Sequence, residues 1–158
     1  AVLGSNSQVV PPEAVHTSST TYVRPAATLT VNRAEALLVQ AYRSSLGEVQ
    51  INRVRMPVGI TDLHVTGPDG VEIIEAKRDS SHGFVRQALG QLLAYVVHSP
   101  EPATRLTALF PSRPGDNDIA LLHRYGIDCV YSGPSSTFDR VEAPDAQRHY
   151  MRQVWEQV

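Results

Sequence analysis

The sequence predicts an α/β fold: a central mixed β-sheet flanked by helices, in the order helix, three strands, helix, strand, helix, strand. Three observations carry that reading. Two stretches, around 32–46 and 84–98, repeat apolar residues at helical spacing. The segment between them alternates and turns as paired strands do. Beyond the second helix, short apolar runs are separated by a further helical piece, and strand, helix, strand at these lengths implies parallel pairing through a crossover.

Composition permits this fold without suggesting a function. The chain has 158 residues, 42% hydrophobic and 19% charged, enough for one compact domain with a core. No run approaches the ~18 apolar residues of a membrane span, so no membrane partner is expected. The first residues lack the basic-then-apolar plan of a signal peptide, and the missing initiator Met suggests a piece of a longer chain. Cys129 is the only cysteine, which excludes an internal disulfide and a zinc site built on paired cysteines. A reducing, cytoplasmic setting is expected. The formal charge of −2 argues against a protein that coats nucleic acid non-specifically. Local positive charge is still available from Arg53, Arg55, Lys77, Arg78 and Arg86.

Residues 1–29, rich in Ser, Thr, Pro and Val, read as a linker or tail with a short extended piece around Thr20 to Arg24. The folded domain is expected over 30–158. From Asn32 to Leu46 the apolar residues Ala34, Leu37, Leu38, Ala41 and Tyr42 define a helix, with Asn32 as its cap and Gly47 at its end. A first strand follows in "EVQINRVRM" before Pro57 and Gly59. Thr61 to Lys77 reads as two strands joined by "GPDG" (Gly67 to Gly70), whose Pro and Gly reverse the chain. The loop "DSSHG" leads into a second helix with Val85, Ala88, Leu92 and Val96 on one stripe. Gly90 in that helix is expected to let it approach the sheet closely. "TRLTALF" is a buried strand, "IALLHRYG" a short helix, "IDCVYS" another strand, and Pro144 to Val158 a terminal helix carrying Trp155.

The two paired strands hold the chemistry. Side chains alternate along a strand, so Glu75 and Lys77 face one way and Ala76 the other. Pairing brings Asp62, at the outer end of the first strand, beside them. Two carboxylates with a lysine are what a hard cation and an attacked phosphodiester would need. On the second helix Gln87, Gln91 and Tyr95 lie at i, i+4 and i+8, one edge that could hold Lys77, a phosphate or a base. Each has a plainer reading. Glu75 and Lys77 could be a solvated strand face, and Gln87 a solvent-facing residue. His64 and His82 read as packing or surface residues that could also approach substrate, and Cys129 as a small buried hydrophobe. No G-x-S-x-G elbow, P-loop or dinucleotide fingerprint is present.

With Asp62 followed by Glu75, Ala76 and Lys77, and with "QLLAY" (Gln91 to Tyr95) on the next helix, the sequence resembles the PD-(D/E)xK nucleases. These include restriction enzymes, RecB-like nucleases carrying a Q-x-x-x-Y signature, and Holliday-junction resolvases. The resemblance covers roughly residues 31 to 131 and departs in having Thr61, not Pro, before Asp62. It implies a restriction-endonuclease-like core. It also implies one or two Mg2+ ions, with Mn2+ as substitute, held by Asp62, Glu75 and the Ala76 carbonyl. Lys77 would orient water or stabilise developing charge, and Gln91 would assist. Glu35 would be a further acid acting on the metal through water, although Asn32 and Glu35 also have the spacing of a capping box. Arg53, Arg55, Arg78, Arg86, Gln87 and Tyr95 would face DNA. The expected function is a Mg2+-dependent DNA endonuclease, the cleavage part of a restriction or genome-defence enzyme. Target reading would lie elsewhere on a longer chain, and a homodimer would cut both strands. The alternatives are a non-catalytic nuclease-fold module that binds DNA or assembles, and a structure-selective or RNA-directed nuclease.

Overall fold

The structure is a computed structural model that describes residues 8–12, 26–56 and 59–156, with side chains in the first helix from residue 33 onward. Its strands are β1 (Gln8–Val10), β2 (Gln50–Met56), β3 (Gly59–Ile60), β4 (Leu63–Gly67), β5 (Gly70–Ala76), β6 (Ala103–Phe110), β7 (Ile127–Ser132) and β8 (Phe138–Val141). The helices are α1 (Ala26–Ser45), α2 (His82–Val96), α3 (Asp116–Arg124) and α4 (Asp145–Trp155). One sheet runs in the order β1-β2-β4-β5-β6-β7-β8, with β3 paired to β2. It is mixed. β2, β4 and β5 pair antiparallel, β5, β6 and β7 pair parallel, and β8 returns antiparallel to β7.

The predicted α/β architecture and its core element order are therefore present. The turn closes on the pair Gly67 and Gly70, and Gly70 adopts a φ of +114° that a side chain would resist. Leu63, Val65, Ile74 and Ala76 bury one face of the sheet with Leu38 and Tyr42 of α1. The opposite face packs Val54, Met56, Val71 and Ile73 against Val85, Ala88, Leu92, Tyr95 and Val96 of α2. Trp155 and Met151 of α4 join that second cluster. Burying an aliphatic side chain of this size stabilises by about 1.5–3 kcal/mol, so both faces are needed to hold the sheet.

Several expectations need correction. The first helix reaches back to Ala26, so Asn32 lies inside it and the capping-box reading of Glu35 falls away. Its buried stripe is also turned. Leu38 and Tyr42 are buried and Val39 and Leu46 pack beside them, whereas Ala34 and Ala41 are exposed and Leu37 is 46% exposed. Adjacent leucines at 37 and 38 left the phase ambiguous, and tertiary packing chose the second. Gly90 is exposed, with nothing within 4 Å of where a Cβ would stand, so it brings no backbone close to the sheet. Within the stretch read as tail, Gln8–Val10 forms the edge strand against β2. The extended piece at Thr20 to Arg24 lies outside the described residues.

Candidate active site

Asp62 immediately precedes β4, and Lys77 immediately follows β5. Strand alternation sends Ala76 into the cluster under α1 and leaves Glu75 and Lys77 on the α2 side. The Lys77 N–H donates to the Leu109 carbonyl at 2.9 Å, which extends the parallel pairing past β5 and fixes the lysine's backbone. Asp62 reaches back across the pair, its Oδ2 accepting from the Ala76 N–H at 2.8 Å. Lys77 Nζ stands 3.4 Å from Glu75 Oε1. The Glu75 and Asp62 carboxylates adjoin closely enough to share a hydrogen bond when one of them is protonated, and the buried Glu75 Oε2 has no N–H or O–H donor of its own. The three groups do converge.

Their electrostatics are those of a crowded carboxylate pair. Burial pushes Glu75 well above the usual carboxylate range; the charge of Asp62 adds to this and Lys77 opposes it. Burial likewise pushes Asp62 up to about 6, with the Ala76 N–H drawing it down and the Glu35 charge pushing it up. Like charges forced together in a dry site favour a shared proton or a cation between them. Among the described residues, no group of three or more His, Cys, Asp and Glu side chains gathers as a cation cage. A metal would therefore rest on Asp62, Glu75 and backbone or water oxygens. The two adjoining carboxylates, with no donor on Glu75 Oε2, are a hard-oxygen set that fits a Mg2+ ion, which keeps several of its waters.

The second helix closes the site. Tyr95 is buried, and its phenol is pushed up to about 12 by burial first and then by Glu75 and Asp62, which places the hydroxyl in their field. One turn earlier, Gln91 carries a buried Oε1 with no partner. Gln87 and Arg86 lie exposed on the outer face of α2. Glu35 is half-buried, and its Oε1 accepts from the Arg78 N–H at 3.3 Å. It acts on Asp62 as a neighbouring charge. The Arg78 guanidinium is 4.9 Å from the Phe84 ring centroid. Arg55 is exposed on β2, and Arg53 is half-buried with its Nε donating to the Thr61 carbonyl at 3.4 Å.

The histidines take other partners. His64 is buried, and its Nε2 meets Ser99 Oγ at 3.4 Å beyond the end of α2. Burial pushes its imidazole down. His82 opens α2 and pairs through Nδ1 with Asp118 of α3. The sequence reading missed Gly59. Its φ of +143° lets the backbone lie where a Cβ would be 3.1 Å from the Tyr95 hydroxyl. A glycine between two short strand-like runs was the available signal.

Fold and geometry together define a class: a mixed α/β protein with a buried acid–acid–lysine centre at the end of paired strands. No protein-family model matches the sequence, and no curated protein matches it. Among solved structures, the crystal structure of a repair endonuclease from Pyrococcus abyssi is similar, with a TM-score of 0.44 and 19% identity. The likeness covers 80% of this chain and 50% of that one, so the chain spans about half the length of that protein's chain. At that degree of similarity the likeness carries nothing about activity.

Proposed function

We propose that this chain is a metal-dependent nuclease that hydrolyses phosphodiester bonds in DNA. The observation that carries the reading is the convergence of Asp62, Glu75 and Lys77, with the two carboxylates held side by side in a site little exposed to water. A binding module has no use for two carboxylates held together against their own repulsion. Asp62 and Glu75, with the Ala76 carbonyl, would hold Mg2+, or Mn2+ in its place. Such an ion supplies charge relief at the phosphodiester and makes water a better nucleophile. Lys77 contributes a fixed ammonium donor, which orients the attacking water and stabilises charge developing on the phosphoryl oxygens. Gln91 offers an acceptor to the same water or to a substrate hydroxyl. Arg78 and Arg86 are exposed cations for the flanking phosphates.

The proposed setting is restriction or another form of genome defence, with target reading on a further part of a longer chain. A homodimer is the assembly proposed wherever both strands of a duplex are cut. The test is cleavage of a labelled DNA substrate in Mg2+. Activity that a chelator abolishes and Lys77→Ala removes supports the reading. DNA binding without cleavage in wild-type protein sinks it in favour of the non-catalytic module.

A further inference from the structure

Three successive backbone amides close β5, and each is held from a different direction. The Ala76 N–H donates to Asp62 Oδ2, just before β4, at 2.8 Å. The Lys77 N–H donates to the Leu109 carbonyl of β6 at 2.9 Å. The Arg78 N–H donates to Glu35 Oε1 of α1 at 3.3 Å. β5 ends at Ala76, so Lys77 and Arg78 lie past the strand itself and are tied by the last two bonds. The peptide that joins them carries the Arg78 N–H, and Glu35 is therefore the outermost of the three holds on the lysine's backbone.

The direction from which Glu35 arrives limits what it can touch. α1 covers the face of the sheet that buries Ala76. Leu38 and Tyr42, about one and two turns after Glu35, pack there with Leu63, Ile74 and Ala76. Glu75 and Lys77 alternate to the other face, under α2. Glu35 thus meets the chain at its backbone, while the reacting side chains project away from α1. Among the described residues, Glu35 does not gather with Asp62 and Glu75 into a set of three that could hold a cation. Its charge still reaches Asp62. Resemblance to the nuclease family would place this acid on the metal through water; the side of approach argues otherwise. We propose that Glu35 is a positioning residue: its carboxylate fixes the Lys77–Arg78 peptide and thereby the Lys77 ammonium, and it takes no part in holding the cation, directly or through water. This rests on the nuclease reading and adds α1 to the machinery of the same site. A misplacement of ~1 Å in a reacting group can lower turnover by about 100-fold, which is what such a hold prevents.

Two substitutions separate the hydrogen bond from the charge. Glu35→Gln and Glu35→Ala both remove the negative charge near Asp62, but only Gln keeps an acceptor oxygen of the same reach. With labelled DNA and saturating Mg2+, Glu35→Ala is expected to lower kcat by about 10–100-fold with KM little changed. Glu35→Gln should rescue most of that loss. Two readouts do not depend on cleavage. The Mn2+ dissociation constant, from the electron paramagnetic resonance of the free ion, should move by less than about threefold in either variant. Hydrogen exchange at the Arg78 amide should be slow in wild type and in Glu35→Gln, and fast in Glu35→Ala. A Glu35→Gln protein as slow as Glu35→Ala would overturn the proposal, and so would a Glu35→Ala protein with the wild-type kcat. Mn2+ affinity weakened by about tenfold or more in both variants would overturn it in favour of a ligand acting through water. A wild-type protein that cuts nothing and binds no Mn2+ overturns the nuclease reading itself and the proposal with it, a failure distinct from the others, all of which need a cutting wild type.

Discussion

At the scale of single residues, the centre is two carboxylates and one ammonium whose charges are unequal to one another's needs. Lys77 meets only one oxygen of Glu75, at 3.4 Å, while Asp62 spends an oxygen on the Ala76 N–H. Removing the ammonium takes away a fixed donor that nothing nearby replaces, so Lys77→Ala should lower turnover by at least ~100-fold with the fold retained. Circular dichroism beside the rate assay separates the two effects. The carboxyl pair also sets a pH dependence of stability. Both groups titrate higher in the folded chain than in the unfolded one, where an Asp lies near ~3.9. Folding then takes up protons, so the stability tied to these groups is full below the unfolded values. It is lost as pH rises through about 6 for Asp62, and through a value well above the usual carboxylate range for Glu75. Chelated protein should therefore melt at a lower temperature at about pH 8 than at about pH 5.5, with roughly 1 kcal/mol between the two from Asp62. Asp62→Asn should flatten that difference. A melting temperature that rises between the two pH values would contradict the assignment.

At the scale of elements, the parts of the fold with a strong period were legible and the parts with long-range causes were not. The stripe Val85, Ala88, Leu92 and Val96 is buried as its spacing demands, with Tyr95 added. β7 spans the same residues as the run "IDCVYS". The short strand β8 escaped notice because "FDRV" has neither an apolar run nor clean alternation. It earns its place through Arg140. That side chain donates to Asp128 Oδ2 at 2.9 Å, to Thr107 Oγ1 at 3.1 Å, to Glu72 Oε2 at 3.0 Å and to the Tyr42 hydroxyl at 2.9 Å. Asp128 also receives Arg105, Arg148 and the Ala143 N–H. This joins β6, β7, β8 and α4 around a carboxylate with no exposure. Burial alone would push its carboxyl up, but the Ala143 N–H and Arg148 hold it below the usual range. No sequence window contains such a network, since Arg140 and its partner Tyr42 are 98 positions apart. Asp128→Ala would strand the buried Arg148 guanidinium and the partly exposed Arg105 and Arg140 and should cost about 3 kcal/mol by denaturant unfolding. A loss below about 1 kcal/mol would show the network to be incidental.

At the scale of the whole molecule, a net charge of −2 gives no hint of a polyanionic substrate. The candidate site was legible because strand alternation fixes that Glu75 and Lys77 share a face, and because pairing sets Asp62 beside them. What could not be read was depth. How closely Glu75 and Lys77 are covered depends on the crossing of a helix over a sheet, which residue spacing does not encode. The tie from Glu35 to the Arg78 N–H depends equally on the register of α1, which the adjacent leucines obscured. Depth matters for the account because a buried carboxylate pair is electrostatically incomplete without a cation. Added Mg2+ should raise the melting temperature. Saturation about 100-fold above its dissociation constant contributes ~2.7 kcal/mol, and Glu75→Gln should remove the shift.

The most direct measurement is the position of Mn2+ by anomalous scattering in crystals soaked with that ion. The account predicts a peak in contact with both the Asp62 and Glu75 carboxylates, absent from crystals of Glu75→Gln. Fully occupied Mn2+ elsewhere on the molecule, with these two carboxylates bare, would contradict it.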